Sequence, residues 1–159
     1  LLWPSKIIRS KVLRRAISDF KGEPLLNSPT TASSDTSSDY EDFRKKYDAG
    51  YRCMDGHYVR SRAEAMVDNW LYTNGIAHAY ERKLPIEEDV YSDFYIKSGN
   101  VYIEFWGMES DEKYAKRKAK KQQIYSANEF NLIELNDDDL NHIDDILPRK
   151  LLAFGITVN

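Results

Sequence analysis

With 159 residues, 31% of them charged and 42% apolar, the chain can hold one ordinary domain with a real core and an appendage. No run approaches the ~20 consecutive apolar residues that cross a bilayer, and a formal net charge of −3 excludes a polycation that coats nucleic acid along its whole length. The single cysteine, Cys53, excludes an internal disulfide and a multi-cysteine zinc site, and suits a reducing, cytoplasm-like compartment.

The opening LLWPSK has neither Met nor an apolar h-region, so it is not read as a secretory signal. Further domains or subunits are expected upstream. Residues 1–21 space Trp3, Ile7, Leu13, Ile17 and Phe20 at helical intervals with basic residues between them, predicting a basic amphipathic helix. Residues 22–45 carry a Ser/Thr/Asp-rich stretch with two prolines, too polar to bury a core, and read as a disordered linker. The folded domain is expected over residues 46–159.

Within it, Asp55-Gly56 is a turn signal for a small hairpin. A helix is predicted from Ser61 to about Asn74-Gly75, with Ala63, Met66, Val67, Trp70 and Leu71 on one face. Strands are predicted over Ala77–Leu84, Tyr91–Ile96 and Val101–Trp106. A basic helix follows over about Asp111–Glu129, then a buried strand Asn131–Leu135 and an acidic helix over Asp137–Ile146. Pro148 is expected to start an apolar tail carrying Leu151, Leu152, Phe154 and Ile156. This order predicts the α/β class: a mixed β-sheet flanked by helices, with an αβββαβ core.

The stretch YSDFYIKSGNVYIEFWG carries the chemistry. Ser98-Gly99 centres a turn of two or four residues, and either length gives one register. Ile96 then faces Val101, Phe94 faces Ile103 and Ser92 faces Phe105, an apolar face for the core. On the other face Tyr95 meets Tyr102, Tyr91 meets Trp106, and Asp93 meets Glu104. Opposed carboxylates on neighbouring strands, with Cβ atoms about 5 Å apart, destabilise a sheet. They persist where one acid is protonated or a cation lies between them, and a hard ion such as Mg²⁺ suits that spacing.

These residues resemble the PD-(D/E)XK nuclease superfamily over about Gly56 to Leu135. Asp93 in SDFYI matches the first acid of the family, Glu104 in YIEFWG the second, and Glu64 in SRAEAMVDNWL the acid of the preceding helix. The tail of the hairpin is similar to very-short-patch-repair endonucleases and to nuclease domains appended to some helicases. The resemblance implies a restriction-endonuclease-like sheet, Mg²⁺ or Mn²⁺ held by Asp93, Glu104 and Glu64, nucleic acid (DNA before RNA) as partner, and phosphodiester hydrolysis in the cytoplasm.

Two positions depart from the family pattern. Ser92 stands for the proline, and Trp106 stands for the lysine of E-x-K. In several branches the cation comes from the following helix, where Lys118 and Lys121 share a stripe with Tyr114 and Tyr125 and are the candidate catalytic cations. Gln122 and Tyr125 resemble the family's Q-x-x-x-Y pattern, one residue short. Glu64 has a second reading, since Ser61-Arg62-Ala63-Glu64 spells a capping box. His57 and His78 are read as structural histidines. The competing functional expectations are an inactive nuclease-like module that binds nucleic acid or protein, and an adaptor docking a partner through the basic N-terminal helix.

Overall fold

The structure, a computed structural model, describes residues 48–107 and 112–158. The N-terminal helix and linker expected over residues 1–45 lie outside the described residues.

A two-stranded hairpin comes first, β1 (Tyr51–Arg52) paired antiparallel with β2 (Tyr58–Val59). Its turn is closed by the Cys53 amide on the His57 carbonyl, and Gly56 supplies φ +99, which a side chain resists. Helix α1 (Arg62–Thr73) begins at the predicted place: the Ser61 side chain accepts from the Glu64 amide while Glu64 reaches back to the Ser61 amide. It ends at Asn74, and Gly75 follows at φ +68.

A four-stranded sheet follows in the order β3 (Ala79–Tyr80), β4 (Phe94–Ile96), β5 (Val101–Phe105), β6 (Asn131–Leu135). The β4–β5 register is the predicted one, Phe94 to Ile103, Tyr95 to Tyr102 and Ile96 to Val101. Its loop has four residues, and Asn100 at φ +46 takes the left-handed position. Gly99 serves the tail instead, since a Cβ there would stand 2.7 Å from Ile156 Cδ1. Strand β6 runs parallel to β5, reached through the crossover helix α2 (Glu112–Ala127), so the sheet is mixed and flanked by helices.

The predicted strand Ala77–Leu84 is shorter than the sequence suggested. Glu81 adopts φ +48, which interrupts the extended backbone, although bonds from Ser92 N to Arg82 O and from Leu84 N to Val90 O carry the pairing onward. The acidic helix divides at His142 into α3 (Asp137–Asn141) and α4 (Ile143–Leu152), and Pro148 lies inside α4 rather than ending it. A mid-helix proline costs about 3 kcal/mol. Leu147 and Leu151 beside it are both fully buried, and each buried leucine contributes about 1.5–3 kcal/mol in the opposite direction.

Both faces of the sheet are covered. Phe94, Ile96, Val101 and Ile103 pack with Val67, Trp70 and Leu71 of α1 and with Leu140, Leu147 and Leu151 of the C-terminal helices. The Trp70 indole donates to Asp144 Oδ1 at 2.7 Å, tying α1 to α4. On the opposite face Tyr102, Leu84, Val90 and Tyr125 form a second cluster beneath α2. Asp93 and Glu104 belong to this second face, and α2 is the element laid over them.

Candidate active site

Glu104 is the fourth residue of β5 and only 1% exposed. The register that sets Phe94 against Ile103 brings Asp93, just before β4, alongside it. The Asp93 side chain leans across the strand pair, and its Oδ2 accepts from the Phe105 amide at 2.8 Å. Glu64 enters from the first turn of α1, where its Oε2 accepts from the Arg60 amide at 2.8 Å and from the Tyr80 hydroxyl at 2.9 Å. Tyr80 lies on β3 directly across from Phe94, which brings the helix acid to the β3–β4 end of the sheet. The capping role and the approach to the sheet therefore coexist in Glu64.

Three carboxylates thus share one electrostatic neighbourhood. Burial pushes the Glu104 carboxyl up to about 8; Lys121 opposes this and the charge of Asp93 adds to it. Burial also raises Asp93, against the pull of Lys121 and the Phe105 amide. Glu64 is raised by burial and then by Asp93, while the amides of Arg60 and Ser61 and the Tyr80 hydroxyl pull the other way. Tyr80 and Tyr125 are pushed up as well, chiefly by burial, so both phenols stay protonated and act as donors.

The cation comes from α2. Lys121 is buried, and its ammonium donates to Glu104 Oε2 at 2.6 Å. One turn later the Tyr125 hydroxyl donates to Glu104 Oε1. The Lys118 ammonium lies 5.6 Å from the centre of the Trp106 ring, and that of Lys121 lies 5.8 Å from it. Trp106 points its Nε1 at Glu134 Oε2, 2.6 Å away, and Gln122 donates to the same oxygen. Tyr114, Ala115, Lys118, Ala119 and Gln122 line a surface concavity along α2 beside this group. Lys113, Lys116 and Lys120 are exposed, and Lys116 pairs with Glu112.

The acids of the C-terminal region stand apart from this site. Asp139 caps α3 and pairs with Lys150, and Asp144 takes the Trp70 indole. His57 and His78 are hydrogen-bonded, as structural histidines are, and they converge with Asp55 and Asp68 in a second cluster that their sequence context did not reveal. The available signal was Asp68, an acid inside the apolar stripe of Val67, Trp70 and Leu71, fully buried in the structure. Cys53 is buried nearby; burial, followed by the charges of Asp68 and Asp55, pushes its thiol up to about 12, so it is no nucleophile at neutral pH.

The chain is similar to an uncharacterized protein of Methanocaldococcus jannaschii, 35% identical over 92 residues. That stretch covers 55% of this chain and 8% of the relative's length. No protein-family model matches the chain, and no solved structure matches it. Among the described residues, no helix is long and apolar enough to cross a membrane.

Proposed function

We propose that this domain is a metal-dependent endonuclease that hydrolyses phosphodiester bonds of nucleic acid, DNA in the first instance, with a PD-(D/E)XK site rebuilt around a helix-borne lysine. The observation that carries this reading is the Lys121 ammonium, 2.6 Å from the buried Glu104 carboxylate and within the electrostatic reach of Asp93. A lysine, two strand acids and a helix acid meet at one end of the sheet, although Trp106 occupies the strand position of the family lysine.

The residues fit a hard divalent cation. Among the described residues, no hydrogen bond goes to Asp93 Oδ1 or Glu64 Oε1, while the other oxygen of each is held in place. Asp93, Glu104 and Glu64 would hold Mg²⁺ or Mn²⁺, which when bound supplies Lewis acidity and an acidified water. The chain's own residues do the rest. Tyr125 and the Phe105 amide fix the carboxylates, burial beneath α2 excludes bulk water, and Lys121 places positive charge where a phosphate would gain it. Exposed Lys113, Lys116 and Lys120 on the same helix suit contacts with the backbone of nucleic acid. The free thiol of Cys53 accords with a reducing, cytoplasmic setting.

A second reading, an inactive module that binds nucleic acid or a protein partner, is favoured by one feature. Both Glu104 oxygens already accept hydrogen bonds, from Lys121 and Tyr125, so the network is satisfied without a metal. A nicking assay on supercoiled plasmid with Mg²⁺ or Mn²⁺ separates the two. Wild type should nick and Asp93→Asn should lose at least a hundredfold. DNA binding without nicking by the wild type would establish the second reading.

A further inference from the structure

Four side chains outside the carboxylate–lysine site converge on one point: Asp55 and His57 from the β1–β2 turn, Asp68 from the middle of α1, and His78 from the approach to β3. His57 Nδ1 lies 2.8 Å from Asp55 Oδ2 and 2.9 Å from Asp68 Oδ2. His78 Nε2 lies 3.2 Å from Asp68 Oδ2 and 3.4 Å from Asp55 Oδ2. One ligand atom from each residue falls within 4.8 Å of all the others. The side chains of Asp68 and His78 are 0% and 3% exposed and those of Asp55 and His57 14% and 36%, so the cluster is buried on its α1 side and accessible on its hairpin side.

Hydrogen-bond accounting singles out this cluster. His78 Nδ1 lies 2.9 Å from the Ile76 carbonyl oxygen, which can only accept, so Nδ1 carries the proton. His78 Nε2 faces two carboxylate oxygens, which only accept, so that contact calls for either a second proton or a metal ion. His57 Nδ1 faces the same pair of oxygens. Asp68 Oδ1, fully buried, has no hydrogen-bond partner among the described residues. A cation at the centre would meet Asp55 Oδ2, Asp68 Oδ2 and the imidazole nitrogens that face them.

We propose that Asp55, His57, Asp68 and His78 form a structural Zn²⁺ site that fastens the β1–β2 hairpin to α1 and to the chain entering β3. Bonds of about 2.0–2.1 Å in a tetrahedron place neighbouring ligand atoms about 3.3 Å apart. Four of the six edges, the His–Asp ones, measure 2.8 to 3.4 Å, close to that value, and the other two lie within 4.8 Å. Two imidazoles with two carboxylates select a late first-row divalent ion over Mg²⁺. The His78 Nδ1–carbonyl bond and the Asp55 Oδ1 bond to the His57 amide, 2.9 Å, supply the outer-shell orientation that ligating residues need. The site also meets a need, because a hairpin with two residues in each strand is not stable alone.

The test is metal stoichiometry and thermal stability of the full chain, stripped with a chelator and titrated with Zn²⁺, with Co²⁺ as a spectroscopic probe. The expected result is one Zn²⁺ per chain, a raised melting temperature, and tetrahedral d–d bands with Co²⁺. His57→Gln and Asp55→Asn, the two more accessible ligands, should each weaken Zn²⁺ by about a hundredfold or more, the upper end of what losing even an outer-shell partner costs. Asp93→Asn should leave Zn²⁺ binding unchanged, so the result does not depend on the carboxylate–lysine site. If the folded wild type takes up no Zn²⁺, or if both variants bind it as wild type does, the proposal is overturned and the cluster is held by doubly protonated imidazoles alone.

Discussion

Substituting Glu104 by Gln should change how stability depends on pH, in a direction fixed by burial. The folded carboxyl titrates near 8 against an ordinary value of 4.5, so between these values the native state holds a proton that the unfolded chain has released. Stability contributed by the protonated form is fully present below about pH 4.5 and is lost as pH rises toward 8. Each pH unit in that window is worth about 1.4 kcal/mol, and the whole interval sets a ceiling on the order of 5 kcal/mol for a group this buried. Asp93 is raised too, so the proton belongs to the pair, and the measured midpoint will be that of the pair. The Glu104→Gln substitution removes the titration. Lys121 is then left beside a neutral amide, and any resulting fall in its own pKa makes the variant gain stability with pH, which widens the gap in the same direction. The assay is urea or thermal unfolding of both proteins in chelator from pH 5 to 8.5. Wild type should lose stability relative to Glu104→Gln by about 1 kcal/mol per pH unit, or about 4 °C for a fold of roughly 100 residues. Parallel curves across the window would refute the buried, proton-holding state of Glu104.

Glu64→Gln keeps a capping-box residue and its acceptor oxygen, so the melting temperature should move by less than about 1 kcal/mol equivalent while cleavage falls at least tenfold; full activity would reduce Glu64 to a cap. Lys121→Ala should lower the single-turnover rate at saturating protein at least tenfold with binding little changed, and Lys118→Ala should act in the same direction through Trp106. Lys113→Ala and Lys120→Ala should weaken binding and flatten its salt dependence instead, which a filter-binding series at several ionic strengths will read. Leu147→Ala, at a site with no exposure, should cost about 2–5 kcal/mol in denaturant unfolding.

The register was legible because alternation left one solution: Phe94, Ile96, Val101 and Ile103 can share a core face only if Asp93 and Glu104 share the other. The start of α1 was legible for a local reason too, since Ser61 and Glu64 complete a cap that needs no tertiary partner. What could not be read depends on tertiary context. Glu81 interrupts β3 with a left-handed backbone although neither Gly nor Asn stands there. Pro148 reads as a helix stop, yet burial of Leu147 and Leu151 holds α4 together across it. The histidine–aspartate cluster draws on a turn, a helix and a strand approach, at spacings of 2, 11 and 10 residues, and no local pattern announces such a set. On a helical wheel Lys118 and Lys121 are equivalent members of one stripe; only the position of Glu104 beneath α2 separates them, by setting that acid against Lys121.

That separation accounts for Trp106 as well. Trp106 follows β5 directly, and its amide bond to the Leu135 carbonyl continues the pairing with β6, so on the proposed reading it stands where the lysine of E-x-K would bring its charge. An indole brings none, but its face attracts cations, by about 0.5–2 kcal/mol for each ammonium held over it. The ammonium groups of Lys118 and Lys121 lie within 6 Å of the ring centre, and the ring is held by its bond to Glu134, a residue of β6 that Gln122 of α2 also grips. Strand β6 thus orients the indole, the indole supports the lysines of α2, and one of those lysines meets Glu104. On the proposed reading, the indole that stands in for the lysine of E-x-K is a platform for two positive charges from the helix. For this reason the tryptophan accords with a site whose cation has moved to α2.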